Sequence, residues 1–247
     1  MAHTTMRLLS PIYFFVTLVI FWICWAVFLL LWGYQGSFLE VNSWHFPLGD
    51  TIMPHLTNLG DGVLLTSICA LVLIKRDNSL FLTLVAGMIL LTLLVAFFKQ
   101  IVFTGWDRPP YIFPEEGAFH AVFLKRRIHN AFPSGHSAAS TGALSFLATY
   151  SLFRTKWLIS VGIASLAALL CYTRVYIGIH FVGDILAGSI LGFLVAMFSL
   201  QAIYPFMAGY VKQLDAARKK WFHVVAYTLV SLLMVGSIVN LINTFYT

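Results

Sequence analysis

Residues 79–98 read SLFLTLVAGMILLTLLVAFF, from Ser79 to Phe98: twenty residues without one ionisable side chain. A helix of about 20 apolar residues matches the hydrocarbon thickness of a bilayer. The charges stand at its two ends, Lys75, Arg76 and Asp77 before it and Lys99 directly after it. The stretch is hydrophobic all round instead of on one stripe, so lipid or other apolar helices must surround it. Six further runs of this kind lie at 11–33, 56–74, 134–153, 157–174, 182–204 and 222–243. The second is interrupted near its start by Asn58, Asp61 and Gly62. The expected fold is an all-α, polytopic membrane helix bundle of about seven spans in one domain covering 1–247.

Composition excludes the main competitors. Of the 247 residues 60% are hydrophobic and 10% charged, against about 25% charged in a soluble domain. The net charge of +6 comes from basic residues placed between apolar runs, which suits topology signals and phosphate contacts and not a nucleic-acid face. With the N-terminus inside, nine of the 15 Lys and Arg residues fall on cytoplasmic segments and six on the other side. Cys24, Cys69 and Cys171 lie inside apolar runs without paired spacing and read as small buried hydrophobes. The first run exceeds the length of a signal-peptide core and lacks a small-x-small cleavage site after it, so it reads as a retained span.

The polar exceptions carry the chemistry. Lys99 closes the third run and Arg108-Pro109 follows it; Pro133-Ser134-Gly135-His136 opens the fourth. Arg174 ends the fifth, and His180 with Asp184 opens the sixth. Alternate passes therefore bring all of these to one face of the membrane, the face that the charge bias makes external. Ionised groups at membrane depth are costly and usually functional. Lys99, Arg108 and Arg174 suit phosphate oxygens, the two guanidinium forks bidentately. The helix start at Ser134 and Gly135 offers free N–H groups and a favourable dipole to an anion. His180 and Asp184, four apart, share a helical face, so the carboxylate can fix one imidazole nitrogen and leave the other nucleophilic. His136, from a different helix, is available as general acid.

These residues resemble the type-2 phosphatidic acid phosphatase family, membrane relatives of glucose-6-phosphatase and the vanadium haloperoxidases. That pattern is Lys-x6-Arg-Pro, then Pro-Ser-Gly-His, then Ser-Arg-x5-His-x3-Asp. The second part is complete here at 133–136; the third runs from Thr173 and Arg174 through His180 to Asp184, with Thr in place of Ser. In the first, eight residues and not six separate Lys99 from Arg108, a length that a bulge at Gly105, Trp106 and Asp107 would absorb. The resemblance spans about 56–204. It implies a six-helix core with the last helix, 222–243, as an addition. It also implies chemistry without metal or cofactor, His180 as nucleophile, His136 as acid, and phosphate contacts from Lys99, Arg108, Ser134, Gly135 and Arg174.

The expected substrate is a membrane lipid phosphate or diphosphate: undecaprenyl diphosphate, phosphatidylglycerol phosphate, phosphatidic acid or a lipid A phosphate. The expected setting is a bacterial inner membrane with the site facing outward. Two alternatives stay open, a lipid phosphotransferase using the same phosphohistidine and a non-enzymatic lipid transporter. His120, His129, Glu115 and Glu116 lack metal-ligand spacing. Lys125-Arg126-Arg127 reads as a headgroup-facing run, and Trp106, Tyr111, Phe113, Phe119 and Phe123 as an interfacial aromatic belt.

Overall fold

A chain in lipid has no solvent to satisfy its backbone, so each apolar run closes its own hydrogen bonds as helix. The computed structural model describes residues 12–115, 117–122, 128–150 and 156–246, with side chains to 243, and these residues form ten α-helices. They are α1 (Ile12–Asn42), α2 (Pro47–Leu59), α3 (Gly62–Leu73), α4 (Asn78–Phe97), α5 (Pro109–Ile112), α6 (Gly135–Thr149), α7 (Trp157–Tyr176), α8 (Val182–Ala202), α9 (Tyr204–Lys212) and α10 (Ala216–Tyr246). A π-helical turn, Phe98–Val102, extends α4. Five of these helices, α1, α4 with its π turn, α7, α8 and α10, are long and apolar enough to cross a bilayer. The Lys125-Arg126-Arg127 run, Glu116 and Phe123 lie outside the described residues.

Three expected spans take a different form. The run at 56–74 is a broken one: α2 and α3 meet at a bend of 63°. Asp61 makes the break, its carboxylate accepting from the backbone N–H groups of Val63 and Leu64 at 3.1 and 3.0 Å and so starting a new helix. The first run continues as helix to Asn42, past the expected end at Gly33, where φ is +68° and the axis kinks. This extension carries Tyr34, Phe38 and Asn42 over the loops at one end of the bundle. The fourth run gives α6, whose 15 residues span about 22 Å at 1.5 Å per residue.

That short helix is the centre of the molecule. It touches α3, α4, α7 and α8, and Ala138, Ala143, Leu144, Phe146 and Ala148 on it are buried. Its closest partner is α8, because Gly188 and Gly192 let the two backbones meet. A Cβ on Gly192 would come within 2.9 Å of both the Ala138 carbonyl carbon and the Gly142 nitrogen, and one on Gly188 would strike the Ser134 carbonyl. Helix pairs without a hydrophobic driving force gain their contact through such small residues. Thr141 and Ser189 add a buried hydrogen bond of 2.9 Å across the same seam. Gly192→Ala is therefore expected to lower stability by about 1–3 kcal/mol, read as a fall in the melting temperature of the detergent-solubilised protein. An unchanged melt would mean that the α6–α8 seam tolerates separation.

Candidate active site

The turn between α7 and α8 sets the first side chains. After Tyr176 the chain reverses through Gly178, at φ +81°, where any Cβ would meet the Phe119 ring and the His120 carbonyl. The N–H groups of Ile179 and His180 both donate to the Arg174 carbonyl at 3.2 Å. This holds His180 one step ahead of α8, with Asp184 in the helix's first turn. The His180 Nδ1 lies 2.9 Å from Asp184 Oδ2, which also accepts the Phe181 N–H at 3.0 Å. The other carboxylate oxygen accepts the Tyr34 hydroxyl from the kinked part of α1. Asp184 is fully buried and His180 is 2% exposed.

Arg108 meets the opposite edge of the imidazole. Its Nη1 donates to His180 Nε2 at 3.1 Å and to the Ile179 carbonyl at 3.2 Å; its Nε donates to the His129 carbonyl at 3.0 Å. A guanidinium has donors only. Nε2 is therefore the acceptor and unprotonated, and the ring proton sits on Nδ1 facing Asp184. Burial first, then the charges of Arg108, Arg174, Lys99 and His136, hold the His180 pKa well below the ordinary histidine value. At pH 7 His180 is neutral, with its Nε2 lone pair facing the cations.

The remaining candidates converge from three other elements. Lys99, in the π turn, donates to the Asn130 carbonyl at 2.8 Å, and Arg108 Nη2 reaches the same oxygen at 3.4 Å. The eight-residue spacing thus still brings both cations to one point. The wide π turn and Gly105, at φ +82°, take up the extra length. Ser134 caps α6: its Oγ accepts from the Ser137 hydroxyl at 3.0 Å and from the Ser137 N–H at 3.4 Å, and its own N–H donates to the Asp184 carbonyl at 3.0 Å. That backbone bond ties the starts of α6 and α8 together, with Gly135 and half-buried His136 in the first turn of α6. Arg174, 7% exposed, donates from Nη1 to the Thr57 hydroxyl at 2.7 Å.

Sequence reasoning missed Tyr34, Thr57 and Asn130. Tyr34 and Thr57 touch the site only because α1 and α2 bend toward it. Asn130 did carry a local signal, since it takes φ +56°, a conformation that Asn tolerates better than most residues. The expected aromatic belt is only partly one. Trp106 and Tyr111 are 43% and 51% exposed, whereas Phe113 and Phe119 pack with Phe38 and Phe181 beneath the site. Below them Asn42 braces the loops, its amide donating to the carbonyls of His120, Val175 and Tyr176 and its oxygen accepting the His120 N–H. His120 pairs with Asp50 at 2.7 Å and His129 with Asp107 at 2.6 Å.

Comparison with known proteins gives a consistent picture. The sequence model of the PAP2 superfamily matches residues 80–208, more than half of the chain. An undecaprenyl-diphosphatase of Sulfolobus acidocaldarius is 27% identical over 201 residues, covering 76% of this chain and 90% of that protein. A lipid A 4'-phosphatase of Bacteroides thetaiotaomicron is 48% identical over a shorter region of 61 residues, 25% of this chain and 26% of that protein. Among solved structures, Aquifex aeolicus LpxE superposes with a TM-score of 0.53 at 26% identity, covering 66% of this chain and 92% of its own. The family match runs from the first turn of α4 into α9, the stretch that contains Lys99, His136, Arg174 and His180. The chain thus belongs to the PAP2 superfamily and is an integral membrane hydrolase of phosphoric esters.

Proposed function

We propose that this protein removes phosphate from a lipid phosphate or diphosphate through a phosphohistidine on His180. One observation carries the reading: His180 is held between Asp184 and Arg108 with Nε2 unprotonated and turned toward cationic side chains. A phosphate arriving there takes the Arg108 N–H groups onto its own oxygens and so frees the Nε2 lone pair. Arg174, Lys99 and the N-terminus of α6 complete the anion site, with Ser134 and Gly135 at the helix start. Nε2 then attacks phosphorus, an N–P bond forms, and the P–O bond to the lipid breaks. His136 gives its proton to the departing oxygen. In the second half His136 takes a proton from water, the water oxygen attacks phosphorus, the N–P bond breaks, and inorganic phosphate leaves.

The names of the relatives point to polyprenyl diphosphates and lipid A phosphates as candidates, beside phosphatidic acid and phosphatidylglycerol phosphate. The charge bias favours a site facing away from the cytoplasm, in a bacterial inner membrane. The deciding experiment is phosphate release by the purified protein from these four lipids, in detergent with EDTA present. Release without added metal is expected, because three cations and a helix N-terminus already supply the charge stabilisation. No release from any of them, or full loss in EDTA restored by a divalent ion, would defeat the reading.

Lys99 gives a finer test. Its ammonium shares the Asn130 carbonyl with Arg108, so it can transfer to a phosphate oxygen with a small swing. Lys99→Ala is expected to lower the rate on the order of a hundredfold, like loss of one oxyanion donor. A loss below about threefold would leave the phosphate to Arg108 and Arg174 alone.

A further inference from the structure

The C-terminal helix lies beyond the family-matched residues and rests on the bundle along a narrow stripe. Phe222, Ala226, Val230 and Ser237 lie on the bundle side of α10, and Leu233, 57% exposed, stands at the edge of that face. Polar contacts pin both ends of the stripe. His223 Nε2 lies 3.1 Å from Asn78 Oδ1 at the start of α4, and the Ser237 hydroxyl donates to Asp61 Oδ1 at 2.9 Å at the start of α3. At the first end Phe222 also packs edge-on against Phe81, ring centroids 5.8 Å apart. Between the pins Ala226 and Val230 are buried against the bundle, whereas Leu233 is exposed, so the helix stands away from its neighbours on that side of the stripe.

The space left there is a cavity of about 580 Å³ bounded by α3, α4, α6 and α10, within the 300–1,000 Å³ typical of small-molecule sites. Met88, Val95, Val230 and Leu233 give it apolar walls, and at one end it reaches Gly135, the first residue of α6. Gly135 belongs to the helix start that receives the phosphate in the proposed function. Thr66 stands in the α3 wall, and its hydroxyl is shielded with no hydrogen-bond partner among the described residues. An ester carbonyl would satisfy it.

We infer that this cavity holds an acyl chain of the lipid phosphate and that α10 is the wall that selects it. The inference rests on the phosphatase reading and adds the place and chemistry of the lipid's apolar part. A phosphate at the N-terminus of α6 leaves its glycerol and acyl groups beside Gly135, and the cavity is an apolar space lined by that residue. Selectivity for chain length then resides in α10 and not in the residues that perform the chemistry.

The test compares phosphatidic acid carrying two oleoyl chains with phosphatidic acid carrying two hexanoyl chains, in mixed micelles. Val230→Trp fills the cavity and Leu233→Trp narrows its edge. Each is expected to lower the oleoyl-to-hexanoyl ratio of kcat/KM by about tenfold or more. Leu232→Trp, exposed like Leu233 but outside the lining of the cavity, is expected to keep the parent ratio. A phosphatidic acid with a diazirine midway along one chain should label residues 226–237 of α10 and the facing part of α4. An unchanged ratio in both inner variants, or label confined to the outer face of α1, would overturn the inference while leaving the phosphatase reading intact. A parent protein that hydrolyses neither phosphatidic acid nor the other lipid phosphates would overturn both.

Discussion

His180→Ala is expected to abolish turnover, with a loss on the order of 10⁴-fold or more, as for removal of a catalytic nucleophile elsewhere. Phosphate monoester hydrolysis is among the slowest uncatalysed reactions, with accelerations reaching about 10²¹-fold, so a covalent step that divides the barrier has a large share to supply. The surroundings of one nitrogen fit the proposed task. His180 Nε2 is unprotonated, faces the cations, and belongs to a ring fixed from its other edge by a buried carboxylate. Rapid quenching with labelled substrate should trap an acid-labile, base-stable phosphate on the parent protein and none on His180→Ala. His136→Ala should still form the adduct from nitrophenyl phosphate, whose leaving group needs no proton, and should release it slowly for want of a base. Label that survives His180→Ala and disappears in His136→Ala would reverse the two roles.

The gathering of the candidate residues was legible in the sequence, but not how tightly they pack. Helix ends alone placed Lys99, His136, Arg174 and His180 on one face, since a chain that crosses lipid must return its alternate ends to the same side. The structure brings Lys99 and Arg108 to one carbonyl and Arg108 to the imidazole of His180. The contacts that the sequence hid come from bends. Tyr34 reaches Asp184 only because α1 runs on past its kink at Gly33, in a stretch that reads as the end of a span. Thr57 meets Arg174 only because Asp61 starts a new helix and turns α2 aside by 63°. Hydropathy reports which residues prefer lipid, and a kink changes direction without changing that preference. The α6–α8 contact is hidden for a related reason: Gly188 and Gly192 look like ordinary small residues until another backbone is laid against them. Lys99 illustrates the opposite case. Two extra residues before Arg108 looked like a departure, and a π turn with one glycine absorbs them locally.

Asp184→Asn is expected to lower kcat on the order of 10³–10⁴-fold, comparable to loss of the carboxylate behind a catalytic histidine, with KM and the fold retained. Three donors meet this carboxylate: His180 Nδ1 and the Phe181 N–H on one oxygen, the Tyr34 hydroxyl on the other. The Phe181 N–H can only donate, so an asparagine must turn its carbonyl oxygen to that side and its NH₂ toward Tyr34. The tyrosine hydroxyl can rotate to accept. Every bond is then kept, His180 keeps its orientation, and what disappears is the negative charge. That charge matters most when Nε2 binds phosphorus, because the ring then carries a positive charge while both its nitrogens are occupied. Its removal would raise the barrier to forming the proposed phosphohistidine without disturbing the phosphate contacts proposed for Arg108, Lys99 and Arg174. Single-turnover kinetics with nitrophenyl phosphate should show slow formation of the adduct in Asp184→Asn. Tyr34→Phe keeps the charge and loses one donor, so its formation rate should fall by no more than roughly 150-fold, the scale of one hydrogen bond to a charged group at about 1.5–3 kcal/mol. A loss below about tenfold in Asp184→Asn would show that the cations around His180, and not the buried carboxylate, set the energy of the phosphorylated ring.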